Sequence, residues 1–245
     1  TRLVPESYGR FFRLAHGLIL PLLGRRVARI TTVSSFSRDN LVGAGIAPAE
    51  KITITYNGSD HARHWDADRS CLPDAARPYA LALARNQWHK SPDLLIRLAP
   101  LLDGLGLDLW LYGDGDEAMV AQHATVRPSN LRLLGRVSDD DLRRALENAV
   151  CFLFPSRMEG FGLPAVEAMV CECPVISAPF PCLPEVCGVA ALYADPDDPQ
   201  AWAAKVERLA RDSVLRRAQI EKGKIRARDF SWRRIATCYL ELMAE

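Results

Sequence analysis

Residues 149–173, AVCFLFPSRMEGFGLPAVEAMVCEC, constrain the fold more than any other stretch of the chain. Residues 150–155 are a short apolar run rich in strand formers, and residues 156–162 are of the kind that break a strand into a loop. Pro164, followed by Ala165, Val166, Glu167, Ala168 and Met169, opens a helix, because proline at the first helical position forfeits no backbone bond. The pattern predicts a strand, a tight loop of Gly160, Phe161, Gly162 and Leu163, and a helix N-terminus. Free N–H groups beside about half a positive charge from the helix dipole make such a loop an anion cradle. Its glycines let a ligand approach the main chain. Glu159 and Glu167 bracket the loop, and a strand-loop-helix turn can point both carboxylates into one cleft. A bare pair of glutamates at this spacing says little, since Glu is common.

The surroundings repeat the same alternation. Residues 79–84 are apolar throughout, as a buried parallel strand should be. Ser91-Pro92-Asp93 is placed to cap a helix whose leucines keep helical spacing and end near Gly104. Residues 107–112, 131–134 and 175–176 read as further strands, Ser138 as the cap of DDDLRRALENA, and residues 199–211 as a helix. Strands alternating with helices at this pace indicate an α/β fold, with a parallel sheet flanked by crossover helices. Upstream, residues 28–33 and 51–56 read as strands, with a serine cap between them and a turn at Asn57-Gly58. Residues 61–78, polar with two prolines, read as a linker. Residues 7–29 are basic and amphipathic, an apolar segment at 18–23 broken by Pro21. This is a helix or helix pair packed on a sheet or, as the second reading, a face resting on anionic lipid.

The 245 residues are 49% hydrophobic, enough for a packed core, and the formal charge of +1 gives no argument for a nucleic-acid partner. No apolar run approaches the roughly 20 residues that span a bilayer. The seven cysteines form no compact disulfide framework and no zinc spacing with histidine. They read as reduced thiols of a cytoplasmic protein, with a peripheral position at the inner face of a membrane as the extension of the lipid reading.

Taken whole, EGFGLPAVEAM resembles the E-x7-E signature of the retaining GT-B glycosyltransferases, a family that includes glycogen synthases, sucrose synthases and many bacterial mannosyl- and glucosyltransferases. The segment RNQWHK, Arg85 to Lys90, matches that family's R-x4-K element in spacing. The resemblance implies two Rossmann-like domains. Residues 1–64 would be the end of an N-terminal acceptor domain, present as a remnant. Residues 65–229 would be a complete nucleotide-sugar-binding domain, and residues 230–245 a terminal helix crossing back.

By the same resemblance, Arg85 and Lys90 hold the donor diphosphate and Glu167 accepts from the ribose hydroxyls. Glu159 sits against the transferred sugar, the loop Gly160, Phe161, Gly162, Leu163 faces sugar and phosphate, and Arg136 and Val137 face the base. The catalytic set is Glu159, Arg85 and Lys90. No metal and no cofactor beyond the nucleotide-sugar co-substrate are expected. Gly113-Asp114-Gly115 imitates a dinucleotide motif, but its acidic residues would repel a pyrophosphate. Asp114-x-Asp116 and Asp195-x-Asp197 imitate a metal motif and are read as turn formers. His16, His61, His64 and His123 have no partner that the sequence names. Departures from the family pattern are Ala84 and Glu172, each where glycine is usual, and Pro181-Cys182 in place of small residues.

The expected activity is retaining transfer of a hexose from a nucleotide sugar, with a lean toward GDP-mannose, to a saccharide or lipid-linked acceptor. The alternative is a non-catalytic nucleotide-sugar-binding module acting with a partner chain. With too few strands ahead of the linker for a first domain, these residues alone are expected to bind nucleoside diphosphate without transferring sugar.

Overall fold

A computed structural model describes residues 9–244. Residues 1–8 and 245, which belong to the expected segments 1–64 and 230–245 and include the start of the basic stretch, lie outside the described residues. The chain divides into two units, Thr1–Tyr56 with Ile235–Glu245, and Asn57–Arg234.

In the smaller unit, α1 (Arg10–Arg26) precedes β1 (Ile30–Thr32), α2 (Ser35–Gly43) and β2 (Ile52–Ile54). β1 and β2 pair in parallel, Ile30 opposite Ile52. Pro21 does not break α1, contrary to the sequence reading. The residue four before it is Gly17, whose backbone carries no Cβ and can tilt away from the proline ring. Phe11, Leu14, Leu18 and Leu22 form an exposed apolar stripe along α1, and Arg25 and Arg26 in its last turn complement the helix dipole. Ser34 caps α2 as expected, its side chain accepting from the Ser37 amide.

The larger unit is a repeating βα chain. Its elements are β3 (Tyr79–Ala84), α3 (Pro92–Asp103), β4 (Asp108–Gly113), α4 (Glu117–His123), β5 (Leu131–Gly135), α5 (Asp139–Asn148), β6 (Cys151–Phe154), α6 (Leu163–Val170), β7 (Val175–Ser177), α7 (Cys182–Cys187), β8 (Ala191–Tyr193), α8 (Pro199–Arg211), α9 (Ser213–Ala227) and α10 (Trp232–Ala244). The division between units falls inside α10. The six strands form one parallel sheet in the order β5-β4-β3-β6-β7-β8. Ala80 is therefore in register with Leu109 on one side and Cys151 on the other.

Alternation along β3 puts Ala80, Ala82 and Ala84 on one face. These small side chains are buried in one cluster with Leu94, Leu98 and Leu102 of α3 and Trp202 and Val206 of α8. Small residues on the strand let large helical side chains fill the layer above it. The Trp202 indole donates to the Asp195 carbonyl at 2.8 Å, so its one polar atom is satisfied in the core.

The unit boundary lies between Tyr56 and Asn57, ahead of the expected 64/65, because residues 59–61 bond within the larger unit. The Ser59 amide donates to the Phe230 carbonyl at 3.0 Å. The Asp60 carboxylate accepts from the Trp232 amide and the Ser231 hydroxyl, each at 2.9 Å, at the start of α10. Burial works against that carboxylate, yet these bonds hold it below its ordinary range. Asn57-Gly58 is not a turn. Gly58 is required by close packing, since a Cβ there would stand 2.5 Å from the Trp232 ring and amide nitrogen.

The polar stretch before β3 is fastened rather than loose. The Asp66 amide donates to Asp140 at 2.7 Å, and the Ser70 hydroxyl and Cys71 amide both donate to Asp141 at 2.8 Å. Asp141 also completes a capping box with Ser138 at the head of α5.

Candidate functional site

The strand order reverses between β3 and β6, and in open parallel sheets ligands bind beyond the carboxyl ends of the strands at such a switch point. Two loops leave the sheet there: residues 85–91 after β3 and 155–162 after β6. Both carry residues singled out from sequence.

The loops are stitched together by groups the sequence reading missed or misassigned. Ser91 was expected to cap α3, but its side chain makes no cap bond. It sits in the left-handed region at φ 52 and donates its buried hydroxyl to the Pro155 carbonyl at 2.9 Å. The Arg157 guanidinium donates to Ser91 Oγ at 3.2 Å, and the Arg157 amide to the His89 carbonyl at 2.7 Å. A non-glycine residue at positive φ persists only where its surroundings fix it, and these bonds do so. The outcome is a salt bridge between Lys90 of one loop and Glu159 of the other, both side chains largely shielded from solvent. The Cys182 thiol donates to the Glu159 carbonyl at 3.2 Å, which gives that departure from the family pattern a local use. Arg85, at the end of β3, is exposed and holds no ion pair among the described residues.

Gly162 caps α6 at φ 94, a conformation that suits glycine. A Cβ there would meet Leu183 Cδ2 at 2.6 Å. Leu163 is the first helical residue and Pro164 the second, one position later than the sequence suggested. Among the described residues, the amides of Gly162 and Leu163 donate to no protein acceptor, as an anion cradle requires. Gly160 is exposed. The Phe161 ring is not at the ligand-facing surface. It is buried and meets Phe230 edge-on, centroids 5.3 Å apart, so its side chain anchors the loop.

Glu167, one turn into α6, is mostly buried and accepts from His61, Nε2 to Oε1, at 3.0 Å. Burial pushes its carboxyl above the ordinary value and the His61 bond pulls it back. His61 in turn accepts from the Trp232 indole N–H at Nδ1, 3.0 Å away. Sequence offered no signal for His61, since its partners lie 106 and 171 positions distant. Nearby, burial foremost and then the Glu167 charge drive the Tyr112 hydroxyl far above its usual range.

Arg136 and Val137 follow β5. Arg136 is 86% exposed in its side chain and pairs with Asp114 at 2.7 Å, while Val137 is half-buried. The Ala84 methyl is buried. It lies where a Cβ on Gly115 would come within 2.7 Å, so a glycine at 115 accommodates the alanine at 84. Glu172 takes the left-handed turn itself at φ 58.

The aspartates of the two imitation metal motifs have structural partners. Asp116 caps α4, Asp195 accepts from the Asp197 amide, and Asp197 pairs with Arg157. No cluster of three or more metal-ligating side chains occurs among the described residues. Burial raises the thiols of Cys151, Cys171, Cys182 and Cys187 to about 12, which leaves them protonated.

The family model described as "Glycosyl transferases group 1" matches residues 77–212, more than half of the chain. The O-antigen chain mannosyltransferase B of Escherichia coli is 33% identical over 223 residues, covering 85% of this chain and 58% of that protein. The O-antigen chain mannosyltransferase RfbU of Salmonella typhimurium is 27% identical, covering 84% and 57%. The chain thus spans well under two thirds of these relatives. Among solved structures, Anabaena HepE in complex with UDP and glucose superposes with a TM-score of 0.75 at 21% identity, over 98% of this chain and 68% of that one. Sucrose-phosphate synthase from Thermosynechococcus elongatus gives 0.75 at 20% identity, over 98% and 64%. On the family match and the shared architecture, the chain belongs to the group 1 glycosyltransferases and has a Rossmann-like α/β architecture that is part of their GT-B fold.

Proposed function

We propose that the chain carries the donor site of a retaining hexosyltransferase, which moves a hexose from a nucleotide sugar to a hydroxyl of a saccharide or lipid-linked acceptor. The observation that carries this reading is the meeting of Lys90 and Glu159 beside the unpaired amides of Gly162 and Leu163, with Glu167 one turn further along α6. A diphosphate suits cations and free amides at a helix N-terminus. Lys90 keeps one donor on Glu159 and has two left for phosphate oxygens. Arg85 adds a second cation, Glu167 receives the ribose hydroxyls, and Arg136 and Val137 face the base.

As the bond from the anomeric carbon to the phosphate oxygen breaks, negative charge builds on the diphosphate, where Arg85, Lys90 and the two amides meet it. The acceptor oxygen bonds to that carbon on the same face and its proton passes to the departing phosphate oxygen, so configuration is retained. Glu159, held by Lys90, orients the sugar rather than forming a bond to it. No metal or further cofactor is assigned a role. The O-antigen relatives are named mannosyltransferases, which supports mannose as the hexose, and GDP is the nucleotide proposed with it. The exposed stripe of α1, flanked by arginines, is the surface suited to a lipid-linked acceptor or anionic membrane.

Every donor residue named lies in the unit Asn57–Arg234, which also fits a binding module that acts with a partner chain. Calorimetry of GDP, UDP and their hexose conjugates on this chain tests the donor site. Transfer of labelled mannose by the native protein separates enzyme from module, and an inverted anomeric product overturns the retaining reading.

A further inference from the structure

Trp232, His61 and Glu167 form a chain of hydrogen bonds that the donor-site roles above do not use. An indole N–H is only a donor, so His61 Nδ1 must be the acceptor at 3.0 Å and the ring proton must reside on Nε2. Nε2–H then points at Glu167 Oε1, also at 3.0 Å. The tautomer is set by geometry, and the ring has little freedom to turn. Trp65 lies edge-on to it with centroids 5.6 Å apart, and the Trp232 ring stands at 6.2 Å. Trp232 is itself fixed at the head of α10, where its amide is held by Asp60 and its ring occupies the space left by Gly58. One oxygen of the Glu167 carboxylate is thereby committed. The other accepts from no protein donor among the described residues.

We infer that His61 is a positioning residue: locked as the Nε2–H tautomer by Trp232, it fixes the plane of the Glu167 carboxylate so that its remaining lone pairs meet the two ribose hydroxyls of the donor. This rests on the assignment of Glu167 to the ribose. A diol needs an acceptor fixed in both distance and direction, and a glutamate χ3 torsion is otherwise broad. His61 also favours the ionised form of a buried carboxyl, which offers acceptors only. The carboxylate is thus ordered before the nucleotide arrives, and the cost of ordering is not charged against binding.

The test compares a ribonucleoside diphosphate with its 2′,3′-dideoxy analogue by calorimetry, using GDP or UDP, whichever the wild-type chain binds more tightly. His61→Phe is expected to weaken the ribonucleotide by about tenfold, the effect of one lost hydrogen bond to a charged group, and to leave the dideoxy analogue within about twofold. His61→Gln, which retains an N–H donor, should recover most of the loss. Trp232→Phe, which leaves His61 and Glu167 in place, should weaken the ribonucleotide by about threefold and spare the analogue. If His61→Phe fails to fold, by circular dichroism, the Trp232→Phe comparison decides the matter alone. Equal losses for both nucleotides, or no loss for either, overturn the positioning role while the donor site stands. A wild-type chain that binds both nucleotides equally overturns the assignment of Glu167, and one that binds neither overturns the proposed function itself.

Discussion

Glu159 and Glu167 carry the same carboxylate into different company, one held by a lysine and the other by a histidine ring. In the proposed reading this difference separates their phenotypes. Glu167→Ala should weaken binding of the free nucleoside diphosphate by roughly 1.5–3 kcal/mol, whereas Glu159→Ala should spare that affinity and damage transfer. Equilibrium binding and rate measured on the same variants check this, and equal losses of affinity contradict the roles. Lys90→Ala or Arg85→Ala should lower the catalytic rate by about a hundredfold or more, as for other preorganised charges, and unchanged turnover in a folded double variant refutes their role. A different kind of residue effect is expected at Glu172. Its left-handed backbone costs about 1–2 kcal/mol for a residue with a Cβ, and its 3.3 Å pair with Lys224 is exposed and worth little. Glu172→Gly should therefore raise stability by about 0.5–1 kcal/mol net of glycine's unfolded-state entropy, read as a higher melting temperature.

At the scale of elements, the head of α5 is a junction. Asp141 joins its own capping box to Ser70 and Cys71 of the segment before β3, and the bonds from Ser70 and Ser138 lower its carboxyl to about 2. A carboxyl depressed in the folded state contributes stability above its unfolded value near 4, and the contribution is lost as pH falls through about 2. Asp141→Asn should cost about 1 kcal/mol at neutral pH, the full shift being cut by solvent screening. The gap to wild type should close by about pH 2 in denaturant melts. A gap that persists unchanged in acid would show that the bonds do not depend on the charge. This junction also shows where sequence reasoning stops. The capping box is local, Ser138 to Asp141, and was legible. The tie to Ser70 spans 71 positions and was not. The same contrast holds across the fold. Strand β3 and helix α8 carry their periodicity openly and stand at the expected residues. Helix α9 was missed because what it buries is Gln219, Gly223 and Ala227, small or polar residues that fit against α6 and give no apolar stripe. Strand β8 is three residues long, too short to show a period. In the site, the glycine loop and its flanking glutamates were readable because one turn holds them. Ser91, His61 and Trp232 act through partners far away in the sequence, and the polar run at residues 61–78 that read as a linker hid one of them.

For the molecule as a whole, the six-stranded unit holds every residue proposed to touch the donor, so nucleotide should act as a stabiliser. At a concentration of about 100 times Kd the gain is about 2.7 kcal/mol, roughly 5–10 °C in the melting temperature of a unit this size. A melting curve that does not move with saturating GDP or UDP would contradict a donor site in the folded chain. The strand order has another consequence, for the time course of folding. The centre of the sheet pairs Ala80 with Cys151, so β3 gains its inner neighbour only after about 70 further residues have been made. At about 5–20 residues per second of synthesis, YALALA waits roughly 4–14 s with one edge open. An apolar edge exposed for that long invites pairing with another nascent chain. The arrangement that places the site at the middle of the sheet also makes the last strand contact before the site the slow one, and yield of the folded protein should rise when a chaperone covers β3 in the interval.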